Sequence, residues 1–154
     1  MTYEQLLDVA NLDGLAVKEH PLINHNGLIK GKRIAIRKNI PTQAEKSCVL
    51  AEELGHHYTT SGKILDQSSA ANRKQEQRAR FWAYDRQIGL MGIISAWKHG
   101  CRTCYEMAEF LGVTEAFLSE ALEAYRNKYG VCKALDHYLI YFYPNLTIVE
   151  FVDI

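Results

Sequence analysis

The segment from Thr42 to Tyr58 leaves this chain the least freedom in how it folds. Pro41-Thr42 with Glu45 three residues on is a helix-start signature, and Ala44, Cys48, Val49, Ala51, Leu54 and Gly55 recur behind it at helical spacing. Into this apolar helix the sequence sets Glu52-Glu53 and His56-His57. Carboxylates beside buried positions are costly unless they are paired or hold a metal ion. Gly55 adds a second constraint, because glycine inside a helix costs about 1 kcal/mol relative to alanine and implies that something approaches the backbone closely there.

The rest of the chain supplies elements to pack around that helix. Thr2 with Gln5 opens a first helix running to about Ala10, and Leu15–Glu19 and Arg33–Arg37 read as two strands around a glycine-containing turn. In the second of these Ile34 and Ile36 alternate with Arg33, Ala35 and Arg37, the pattern of a half-exposed antiparallel edge. Thr59 to Ala71 reads as a loop, and Asn72 as the N-cap of a helix carrying Glu76, Ala79, Phe81, Trp82 and Ala83. A further helical stretch passes through Ile93, Ile94 and Trp97 to Gly100. Tyr105–Leu111, capped by Gly112, and a helix begun by Thr114 then form a helix-turn-helix pair. Tyr138–Tyr143 and Thr147–Val152 alternate around Pro144-Asn145 as a terminal strand pair. The expected class is α+β: a zincin-like helical core with a small antiparallel sheet and a C-terminal helical pair. Residues 1–98 form the core, and 99–154 hold the helical pair and strand hairpin within one compact domain.

At 154 residues roughly two-thirds of the unfolded surface can be buried, so no disulfide or structural metal is needed to hold the fold. Cys48, Cys101, Cys104 and Cys132 are scattered and apolar-flanked, which reads as reduced thiols. Eighteen basic residues balance eighteen acidic ones, removing the basic excess of a nucleic-acid or membrane-surface binder. The longest nearly uncharged stretch, Ile88–Trp97, is about half of the roughly 20 residues a membrane span needs, and the first residues are acidic where a signal peptide is basic. A cytoplasmic location is expected, with neither nucleic acid nor membrane as a partner.

Side chains four apart on a helix share a face, so Glu52 and His56 can point at one atom while Glu53 leans beside them. That is the geometry of the zincin motif His-Glu-x-x-His, with glutamate in the first ligand position. Glu76, on the next helix, can supply a ligand from across the first.

The run Cys48–Tyr58, followed by the Glu-x-x-Ala-x-x-aromatic-Ala run from Glu76 to Ala83, resembles the ImmA/IrrE-type metallopeptidases of phages, mobile elements and bacterial stress regulons. The resemblance covers most of the chain. It implies a zinc ion held by His56 and Glu76, with Glu52 where the family usually has its first histidine, and Glu53 as general base. It also implies cleavage of a cognate helix-turn-helix repressor. With two carboxylate ligands, manganese or iron enters more easily and a bound water is less acidic. His57, about 100° round the helix from His56, falls to packing or to a supporting position. Asp66 is a further loop carboxylate that could reach the site.

Other features have two readings. Cys101-Arg102-Thr103-Cys104, with His99, Cys132 and His137, can be drawn as a zinc site, yet a single Cys-x-x-Cys is more simply two thiols near a helix start. The Gly112-Val113-Thr114 turn fits a DNA-reading helix pair, but Glu115, Glu120 and Glu123 would face the phosphates. Three functions therefore remain: a metallopeptidase, an inactive relative that relieves repression by binding the repressor, and a DNA-binding regulator.

Overall fold

In the computed structural model, residues 1–60 and 69–152 are described. Among them lie α1 (Tyr3–Leu12), β1 (Ala16–His20), β2 (Gly27–Lys30), β3 (Arg33–Arg37), α2 (Gln43–Thr59), α3 (Ser69–Gln87), α4 (Gly89–His99), α5 (Cys104–Leu111), α6 (Glu115–Tyr129), β4 (Cys132–Leu135), β5 (Tyr138–Tyr141) and β6 (Thr147–Glu150). The fold is α+β, and no helix among the described residues is long and apolar enough to cross a membrane. Two compact units divide the chain, Met1–Gln87 and Ile88–Ile154. α4 packs on α5 within the second unit.

In the N-terminal unit, α1 begins with the expected capping box. The Gln5 N–H donates to Thr2 Oγ1 at 3.2 Å, and the Thr2 N–H donates to Gln5 Oε1 at 2.9 Å. The sheet has the order β1-β3-β2, with β1 parallel to β3 and β2 antiparallel to it. This corrects the antiparallel pair expected of β1 and β3. Gly27–Lys30 forms a strand of its own and reverses through a two-residue turn at Gly31, whose φ of +59° suits glycine. The chain therefore returns to β1 in the same direction, and β3 is the central strand instead of an edge, with Ile34 and Ile36 buried.

α2 packs on α1, on β2 and β3, and most extensively on α3. Thr42 caps it, accepting from the Glu45 N–H at 3.1 Å, and Cys48, Leu50, Ala51, Leu54 and Gly55 make its buried stripe. α3 starts at Ser69, three residues before the expected Asn72, and buries Ala79, Ala83 and Tyr84.

The C-terminal unit holds α4, α5, α6 and the sheet β4-β5-β6, antiparallel throughout. β4 widens the expected terminal strand pair to three strands. Gly112 ends α5 in the left-handed region at φ +68°, and Thr114 caps α6 by accepting from the Phe117 N–H at 3.1 Å, as the turn pattern implied. Phe117, Leu118, Ala121 and Tyr125 bury the inner face of α6 against this unit's core, which includes Ile140 and Phe142.

Candidate functional site

The crossing of α2 and α3 sets the backbone spacing beneath the site. A Cβ built on Gly55 would lie 2.2 Å from the carbonyl oxygen of Ala79, closer than any side chain can approach backbone. Glycine is therefore required here so that the two helices can touch main chain to main chain. One residue on from Gly55 stands His56, and one turn before Ala79 stands Glu76. The His56 Nε2 and Glu76 Oε1 atoms are 3.4 Å apart. That gap exceeds the usual range of an N–H···O hydrogen bond. It equals the edge, about 3.3–3.4 Å, of a tetrahedron whose donors each stand about 2.0–2.1 Å from a central zinc ion.

Glu53 lies on the side of α2 that faces β2. Its Oε1 and Cγ stand 2.8 and 2.9 Å from where a Cβ on Gly27 would be, so the first residue of β2 is a glycine against which this carboxylate is packed. Burial chiefly, and then the neighbouring charges of Glu52 and Glu76, push the Glu53 carboxyl from 4.5 up to about 7. Two neighbouring carboxylates thus act on Glu53.

The end of α2 is anchored separately. The Tyr58 hydroxyl donates to the Asp13 carboxylate, and its ring stacks on Trp82 of α3 at 4.9 Å. Burial, followed by that bond, pushes Tyr58 up to about 12. His57 meets the Tyr58 ring edge-on at 4.9 Å, a packing position.

Of the expected ligands, His56 and Glu76 are together, and Glu53, the expected base, is close by. Glu52, half-buried one turn before His56, does not complete a set: among the described residues no three His, Cys, Asp or Glu side chains are grouped to hold a metal ion. Two donors fit an ion and the third is not in place. Asp66 lies outside the described residues. The alternative zinc site around Cys101 and Cys104 likewise assembles no group of three among the described residues, and none of the four cysteines forms a disulfide. Sequence reasoning passed over Gly27 and the Asp13–Tyr58–Trp82 anchor. An isolated glycine opening a strand is the one signal that could have flagged Gly27 as a point of close approach.

No protein-family model, curated protein or solved structure matches this chain.

Proposed function

We propose that this chain is a zincin-like metallopeptidase of the ImmA/IrrE kind, cytoplasmic and of phage or mobile-element origin, which cleaves a helix-turn-helix repressor and so relieves repression. The supporting observation is the His56–Glu76 pair, held across α2 and α3 at the separation a tetrahedral ion requires, with Glu53 beside it. His56 and Glu76 would hold the ion, zinc or a harder manganese or iron, and Glu52 would join by rotating its side chain. When bound, such an ion supplies Lewis acidity to a peptide carbonyl and to water.

Glu53 does the proton work. Burial beside β2 holds the Glu53 carboxyl above its ordinary range in the ion-free chain, and a bound ion would draw it toward the carboxylate that accepts a proton. Glu53 takes the proton of the attacking water and delivers it to the departing amine. Gly27 leaves room for the carboxylate between α2 and β2.

The test is metal analysis of protein purified without chelator, followed by co-expression with the repressor encoded beside it. The reading requires a bound divalent ion and a cut repressor, with Glu53→Gln keeping the ion and losing at least 100-fold in cleavage. Glutamate at position 52, where the resembled family has its first histidine, favours a second reading, an antirepressor that binds without cutting. Relief of repression by the wild type with the repressor intact would establish that reading instead.

A further inference from the structure

The C-terminal unit contains a cavity of about 400 Å³ that the α2–α3 site does not use. This volume is within the range of small-molecule sites. Trp97, Met107, Leu122 and Ile148 give it apolar walls, while Arg102 and Cys104, both exposed, line its opening.

Arg102 is fixed before any ligand arrives. Its Nη1 donates to the carbonyls of Trp97 at 2.7 Å and Cys101 at 2.9 Å, and its guanidinium carbon lies 5.0 Å from the centroid of the Trp97 ring. Both hydrogens of that nitrogen are spent on backbone, so the Nε and Nη2 edge is the part left to receive a planar oxyanion in bidentate fashion. Among the described residues no carboxylate pairs with it. Glu106, the nearest acid in sequence, turns back to accept from the Thr103 hydroxyl at 3.0 Å.

We propose that this cavity binds a small amphipathic carboxylate, its apolar body against Trp97, Met107 and Ile148 and its carboxylate on Arg102. The charge of Arg102 selects the head group and the apolar walls select the body. Cys104 provides a reporter, because its exposed thiol lines the same cavity and an occupant would shield it.

The experiment uses the full chain and two fluorescent probes, dansylglycine and its uncharged amide. Dansylglycine should bind saturably at one site per chain, at least tenfold more tightly than the amide, and should slow alkylation of Cys104 by iodoacetamide as mapped by peptide mass spectrometry. Arg102→Gln should make the acid and the amide bind alike, with Arg102→Lys intermediate and circular dichroism unchanged for both. The acid–amide contrast and the Cys104 protection are read on the wild type, so an unfolded variant leaves the test intact. Absent saturation, equal affinity of acid and amide for the wild type, or alkylation of Cys104 at an unchanged rate with dansylglycine bound would each overturn the proposal.

Discussion

The fold resists the charge of the Glu53 side chain. Its folded carboxyl titrates near 7 against 4.5 ordinarily, so its contribution to stability is fullest below pH 4.5 and is lost as pH rises through about 7. The wild type then ionises a half-buried group among other carboxylates. Glu53→Gln removes that cost. In chelator-treated protein, urea unfolding should show the variant more stable by on the order of 2–3 kcal/mol at pH 8 and nearly equal to wild type at pH 4.5. Gly27→Ala probes the same carboxylate from the strand side. The new Cβ would meet Glu53 Oε1 at 2.8 Å and a Val49 methyl at 2.9 Å. The carboxylate end can swing away, but the Glu53 Cγ at 2.9 Å and the stiff Val49 must also shift, so the stability loss should be about 1–3 kcal/mol. Displaced toward solvent, Glu53 should lose its pH signature, so Glu53→Gln added to Gly27→Ala should gain less than 1 kcal/mol at pH 8.

At the scale of elements, the contact between α2 and α3 puts two opposing effects in competition at Gly55. Alanine there would improve helix propensity by about 1 kcal/mol. Its Cβ at 2.2 Å from the Ala79 carbonyl would force two backbones apart, and neither can rotate out of the way. The clash wins, and Gly55→Ala should destabilise by at least about 2–3 kcal/mol in urea unfolding, with lost hydrogen-exchange protection in both helices. This contact was legible in sequence, because a glycine within an otherwise regular apolar helix needs a reason. So were the caps at Thr2, Thr42 and Thr114, each with its partner three residues on. The strands β2 and β4 were not, since each is only four residues long and neither Gly-Leu-Ile-Lys nor Cys-Lys-Ala-Leu alternates apolar with polar residues. Missing β2 in turn hid the parallel pairing of β1 with β3, and with it the approach of Gly27 to Glu53. The pairing of His56 with Glu76 followed from helix periodicity, whereas the position of Glu52 depends on side-chain rotation that no pattern of residues encodes.

Across the whole molecule, the absence of net charge and of disulfides gives two further expectations. Cys104 is exposed while Cys48 and Cys101 are buried, so a thiol reagent should modify Cys104 first and reach Cys48 and Cys101 only on unfolding. Gel mobility should be the same with and without reductant. Equal numbers of basic and acidic residues, with Glu115, Glu120 and Glu123 exposed along α6, predict that the chain is not retained on duplex DNA at about 0.15 M salt. Micromolar DNA affinity falling steeply with added salt would favour the regulator reading instead. The meeting of Gly55 with Ala79 also matters for how such a protein can change over generations. The backbone gauge beneath His56 and Glu76 is set by main chain, which substitutions elsewhere in the helices leave untouched. Position 52 is consequently free to vary without altering that gauge. If the proposed metallopeptidase reading holds, Glu52→His should raise zinc affinity, measured against a chromophoric chelator, with no shift of the helices, so a lineage could exchange one metal for another, or surrender the metal and later recover it, by single steps on an unchanged frame.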